Sequence, residues 1–233
     1  LFSTKEIAEQ LETSFNLLTG GGRTELPRVQ TIRASIDWSW DLLTEAEQAF
    51  MRQLFVFSGG WALNPAQAVC YGDVVNLTSS LVKKSLIVVE QEAGSETRYH
   101  FHEVIRQYAH EKLVEAGEEE NIRNRHLEYF RELAKQASPH LRNANQIIWL
   151  DRLETEIANI RAALVWAVSG GSVQSGLDLV ADLSYFWVYR TDVKQHRVYV
   201  EKILAVPEAI HDKRTKAKGL QVAGFLAYFA GDP

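Results

Sequence analysis

The sequence is poor in several things, and each shortage removes a class of function. Among 233 residues there is one cysteine, Cys70. A lone thiol closes no intramolecular disulfide, and no leader with a basic start and an apolar middle is visible, so a reducing, cytoplasmic setting is expected. No run of 18 apolar residues occurs: the stretch from Ile160 to Val180 is broken by Arg161, Asp178 and several Gly and Ser. A membrane span is therefore not expected. Positive charge is also scarce. With 25 Lys and Arg against 30 Asp and Glu, the net charge is −5, which repels a polyanion on average and leaves nucleic-acid binding to a local basic patch.

Catalytic patterns are missing too. No nucleophile stands at motif spacing from a base, so no catalytic residue is assigned and the chain is not expected to be an enzyme. His100, His102 and His110 form no metal set: a strand brings 100 and 102 to one face only if it continues through both, and no cysteine or regular carboxylate completes the shell. The nearest approach to a phosphate-cradling loop is Gly20, Gly21, Gly22, Arg23, Thr24, which lacks the spacing, the lysine and a preceding strand, and reads as a flexible hinge. Leu1 stands where a methionine would start a chain, and Gly231, Asp232 and Pro233 form a turn signal, so the sequence reads as a piece of a longer protein.

What is present is mostly helical periodicity. Apolar residues at Ile7, Ala8, Leu11, Phe15 and Leu18 predict a first helix stopped by the glycines, and residues 20–27 predict a linker. A helix over 31–43 should bury Ile32, Ile36, Trp40 and Leu43. Thr44 and Glu47 form a capping box for a helix reaching about Phe55. After an apolar connector with Gly59 and Gly60, Asn64 and Pro65 read as the N-cap and first turn of a short helix, followed by another over 74–84. Leu86 to Val89 and Arg98 to Phe101, separated by a Gly turn at 93–96, predict a hairpin. His102 or Glu103 opens a helix to about Ala116. Beyond Gly117 the pattern predicts helices over 121–137, 145–168, 173–189, 193–204 and 213–230. Paired helices of this length without strands point to an α-solenoid.

Individual residues have plain readings. Glu118, Glu119 and Glu120 make a solvated, dipole-favoured helix start. Cys70 lies on an apolar face and reads as a buried structural thiol. The six tryptophans, with Tyr185, Phe186 and Tyr189, fall mostly at core spacings, while part of the cluster at 185–189 should line a groove or stack on a following repeat. A repeat array cut at that point would expose apolar surface.

Four stretches together resemble the winged-helix and repeat region of STAND-type (NB-ARC-like, AP-ATPase) signal-transduction ATPases in bacterial LuxR/AfsR-like transcriptional regulators: LPRVQTIRASIDWSWDLL from Leu26, LFVFSGGWALNPAQAVC from Leu54, LTSSLVKKSLIVV from Leu77 and HFHEVIRQYAHEKL from His100. WLDRLETEIANIRAALVW, from Trp149, is similar to the helices that precede tetratricopeptide-like repeats in those regulators, and Leu220, Ala223, Gly224, Ala227 and Gly231 fall at repeat positions. The resemblance implies a mainly α fold: the end of a preceding helical subdomain and linker (1–28), a winged-helix domain with one β-hairpin (29–116) and a truncated helical, tetratricopeptide-like region (117–233).

It also implies an ATP-driven switch, in which a P-loop domain absent from this sequence binds nucleotide, the winged helix closes over it and the repeats sense a ligand or protein. Implied partners are that upstream nucleotide-binding domain and an effector on the repeats. The expected cofactor is ATP or ADP with Mg²⁺ in the full-length protein and none in this piece. Phe101, His102 and Glu103 match the family's Met-His-Asp type motif with two replacements, and make His102 the candidate sensor of the nucleotide phosphate. An imidazole at a helix start can donate to phosphate beside the positive end of the dipole, although a purely capping or interdomain histidine fits the position as well. The alternative function is a DNA-binding winged helix with a repeat extension. It is poorly served by a recognition helix offering only Lys83 and Lys84 and by a wing with Glu90, Glu92 and Glu96 against Arg98.

Overall fold

The computed structural model describes residues 27–91, 96–190, 193–206 and 213–231. The fold is mainly α with one small antiparallel hairpin. In chain order the elements are α1 (Pro27–Asp41), α2 (Glu45–Gln53), a 3-10 turn (Leu54–Val56), α3 (Leu63–Val69), α4 (Val74–Lys83), β1 (Val88–Glu90), β2 (Arg98–His100), α5 (Glu103–Glu115), α6 (Glu119–Ala137), a second 3-10 turn (Ser138–Arg142), α7 (Gln146–Thr155), α8 (Ile157–Ser169), α9 (Val173–Asp182), α10 (Ser184–Arg190), α11 (Val193–Leu204) and α12 (Lys213–Ala230). Two compact units divide between Gln48 and Ala49. The helix expected over 7–18, the glycine hinge at 20–24 and the Gly turn of the hairpin lie outside the described residues.

In the first unit, the expected apolar face of α1 is covered only toward its C-terminal end. Leu43 is buried, Ile36 and Trp40 are half-buried, and Ile32 is 46% exposed. Periodicity sets which residues share a stripe, and the packing around each turn decides how much of it is covered. Thr44 and Glu47 close the box that their spacing predicts: the Thr44 N–H donates to Glu47 Oε2 (2.7 Å) and the Glu47 N–H to Thr44 Oγ1 (3.3 Å). Thr44→Ala is expected to weaken this helix start by about 1 kcal/mol, seen as roughly fivefold faster amide exchange at Glu47 and Gln48.

In the second unit α2 leads into the buried turn at Leu54, Phe55 and Val56, and the chain runs through Gly59 and Gly60 into Trp61, whose N–H and C=O pair with those of Tyr99 at 2.8 Å each. Next comes α3, which starts two residues earlier than its signal predicts: Ala62 takes the cap position with no side-chain bond, and Asn64 lies inside the helix. Pro65 is compatible because first-turn amides have no intrahelical acceptor, so a missing N–H there costs little. The far end of α3 is closed by Arg125 of α6, which donates to the carbonyls of Val69 (2.6 Å) and Ala68 (2.7 Å). Helix α4 is capped by Asp73, which accepts from the Asn76 N–H. The hairpin pairs Val88 with His100, Val89 with Tyr99 and Glu90 with Arg98. Helix α5 is closed just beyond its end by Gly117, whose φ of +67° allows the Gly117 and Glu118 N–H groups to bond back to the Val114 and Leu113 carbonyls, a closure that a residue with Cβ enters only with strain.

Among the remaining elements α6 contacts α3, α8 and α9, while α9 also meets α11 and α12. Two helices expected to be continuous are broken. Residues 145–168 divide at Glu156 into α7 and α8, and residues 173–189 divide at Leu183 into α9 and α10. At the second break Ser184 turns its hydroxyl back to the Ala181 carbonyl (2.6 Å), the competition with the helical ladder that short hydroxyl side chains introduce. Of the six tryptophans, only Trp61 and Trp187 are fully buried; Trp40, Trp149 and Trp166 are half-buried and Trp38 is exposed. Phe186 is buried beside Trp187, and Tyr185 meets Phe225 of α12 edge-on at 5.3 Å. Cys70 is buried, and burial pushes its thiol pKa far up. No helix among the described residues is long and apolar enough to cross a membrane.

Candidate functional site at the hairpin and the start of α5

Strand β2 delivers three consecutive residues to the site. Phe101 is buried, edge-on to Trp61 with ring centroids 5.1 Å apart. That anchor leaves His102 to turn outward as the N-cap of α5, with extended backbone (φ −64°, ψ 142°) and its carbonyl accepting from the Arg106 N–H at 3.0 Å. The imidazole is exposed and makes no capping hydrogen bond. Glu103, the next residue, is held by Arg106 through two bonds of 2.8 and 2.9 Å. Phe101 and Glu103 both line a cleft of about 540 Å³, which also contains Gly59, Gly60, Trp61 and Arg106. A phosphate approaching the start of α5 would meet an exposed imidazole that makes no capping hydrogen bond and the positive end of a 13-residue helix, a donor set that suits an anion. Arg106 is already paired.

Below the hairpin lies a buried polar cluster that sequence reasoning missed. Arg98 of β2 donates through Nη1 to Glu156 Oε1 at 2.5 Å and through Nη2 to the Gly60 carbonyl at 3.1 Å. Asn159, fully buried in the first turn of α8, donates through Nδ2 to Glu156 Oε2 (2.6 Å) and to the Gly60 carbonyl (2.9 Å), while its Oδ1 accepts from the Ser58 N–H (2.7 Å). His126 of α6 is also buried, between Phe57 and Phe130, with Nε2 lacking a partner among the described residues. Burial holds its pKa down at about 3, with the neighbouring Asn159 side chain pulling the other way. One signal was legible: an asparagine inside the apolar run IANIRAALVW must find hydrogen-bond partners if that helix is buried.

The acidic run is more engaged than expected. Glu118 receives Arg52 at 2.6 and 3.0 Å, and these bonds hold its carboxyl below the usual range. Burial pushes the Glu119 carboxyl up, but bonds from His110 and Arg123 outweigh it and leave the pKa lowered. Only Glu120 is the exposed helix-start residue that the pattern predicts. On α4 the exposed side chains are Val75, Asn76, Ser79 and, at the end, Lys83, with Lys84 just beyond. Arg98, the one cation of the expected wing, is turned inward to Glu156. These surfaces offer no concentrated basic face for a DNA backbone. Among the described residues no group of three His, Cys, Asp or Glu side chains is arranged to hold a metal ion.

No protein-family model matches the chain, and no solved structure matches it. Curated relatives do. A protein of Mycobacterium tuberculosis provisionally named an HTH-type transcriptional regulator is 39% identical over 208 residues, covering 87% of this chain and 23% of its own length. A Mycobacterium bovis protein with the same kind of name matches to the same extent. A second M. tuberculosis protein, named uncharacterized, is 33% identical over 153 residues, 63% of this chain and 36% of its own. The chain thus spans under a quarter of the regulators it matches.

Proposed function

We propose that this chain is a regulatory, non-catalytic segment of a STAND-type ATPase transcriptional regulator. In this reading the helices and hairpin up to about residue 116 relay the ADP or ATP state of an upstream nucleotide-binding domain. The helices from 117 onward, tetratricopeptide-like in their pairing, serve ligand sensing or protein contact. The observation that carries the regulatory part is the 39% identity, along most of this chain, to proteins named HTH-type transcriptional regulators that are some four times longer. The nucleotide part is supported by His102, exposed and without a capping bond at the start of α5. ATP or ADP with Mg²⁺ would supply the phosphate charge that His102 reads, and this chain's own contribution is to present that imidazole at a helix start.

The alternative, direct DNA reading by this winged helix, draws on the same relatives' names. It is disfavoured by the sparse basic residues of α4 and by the inward turn of Arg98. The deciding experiment is calorimetry of ADP and ATP with this chain and with the protein extended upstream to include the P-loop domain, each also as His102→Ala. Binding by the extended form alone, at least fivefold weaker for ADP in His102→Ala, is the expected result. Binding by this chain alone, or no effect of the substitution in the extended form, would reduce His102 to a structural residue and leave this chain a scaffold.

A further inference from the structure

We propose that the Glu156 carboxylate is the catch of a latch that makes the hairpin, the 58–60 loop and the α7–α8 junction open as one unit. Three stretches far apart in sequence meet here. Arg98 reaches Glu156 across 58 residues, and Asn159 reaches Ser58 and Gly60 across 101 and 99. Glu156 accepts from Arg98 with one oxygen and from Asn159 with the other. The Gly60 carbonyl likewise accepts from both. No stretch can leave alone without stranding a buried group: a departing hairpin removes the guanidinium from Glu156, and a departing loop leaves Asn159 Oδ1 unpaired. A half-broken buried ion pair costs far more than a whole one gains, which makes the cluster open together or not at all.

Backbone geometry removes the remaining slack. A Cβ on Gly60 (φ +87°) would lie 2.7 Å from the Tyr99 carbonyl oxygen, and one on Gly59 (φ +74°) would lie 2.8 Å from the Ala158 Cβ. The loop is thus pressed between β2 and the start of α8 with no room for a side chain. Glu156 also occupies the break between α7 and α8, as C-cap of one and N-cap of the other. The latch therefore grips a joint, and a displacement of the hairpin is delivered to the place where the helical array can bend. Its use in signalling rests on the proposed function, but the coupling belongs to this chain and is tested without nucleotide.

Native-state amide exchange reads it directly. In the unaltered chain the amides of Ser58, Trp61 and Tyr99, and that of Ile160, which bonds to the Glu156 carbonyl, are expected to have protection factors within about threefold of one another. In Glu156→Gln the hairpin and loop amides should exchange at least tenfold faster than that of Ile160. Arg98→Lys, which keeps the charge but loses the forked geometry, supplies the same readout if Glu156→Gln does not fold. Hairpin and junction protection differing more than tenfold in the unaltered chain, or both shifting together in the variants, would overturn the proposal. Neither result would touch the ADP calorimetry on His102.

Discussion

Lowering the pH from 7 to 4.5 is expected to take roughly 2–3 kcal/mol from the unfolding free energy of the unit that begins at Ala49, through His126 alone. The imidazole has a pKa of about 3 in the fold against 6.5 as its ordinary value, because burial disfavours the charged form. The sign follows from which state takes the proton. Above pH 6.5 both folded and unfolded histidine are neutral and stability is full. Below it the unfolded chain protonates first, and stability falls by about 1.4 kcal/mol per pH unit until the folded state titrates. Glu118, Glu119 and Glu128 have lowered pKa values, so their contributions are lost only further down. Asp182 works in the opposite direction, since burial raises its pKa. Urea unfolding at pH 7 and 4.5 checks this, with His126→Gln beside the unaltered chain. The variant should lose most of the pH dependence between those values, and an equal slope in both would assign it elsewhere.

Trp187→Ala should be the most destabilising single truncation in the later helices. Trp187 is fully buried in α10, packs edge-on to Phe186 at 5.0 Å and donates its indole N–H to the Val180 carbonyl at 3.2 Å. Removing a buried tryptophan leaves a cavity as well as lost transfer energy, about 3–5 kcal/mol, or a fall in thermal midpoint of roughly 10 °C for a unit of this size. Tyr189, two residues on and 53% exposed, is the internal control. Its replacement by alanine should stay within about 0.5 kcal/mol. Comparable losses at both positions would mean that the aromatic cluster is covered in solution by something beyond these helices.

Local signals were legible and tertiary ones were not. The capping box at Thr44 and Glu47, the stop at Gly117 and the bounds of α12 follow from neighbours within a few residues, and the structure reproduces them. The break at Glu156 does not follow from its neighbours, because the surrounding sequence is made of good helix formers and the partner that engages Glu156 comes from Arg98, on another element. Ser184 breaks the next helix through a side-chain bond that compositional reading treats as optional. Arg98 illustrates the difference for the site: by sequence it was the cation of a wing, and in the fold it is an internal counter-ion. His102 is placed by resemblance, and the fold adds that its ring is exposed and makes no capping hydrogen bond. Asn159 and His126 went unremarked because each looks like an ordinary polar interruption of a helix until the packing closes over it.

Cys70 has a practical side. As the only thiol in the chain, sealed in the interior and held in its protonated form by burial, it is inert toward alkylating reagents while the structure is closed. Its rate of modification therefore counts openings of the region around α3, giving the native molecule a built-in clock for its own breathing that requires no engineered label.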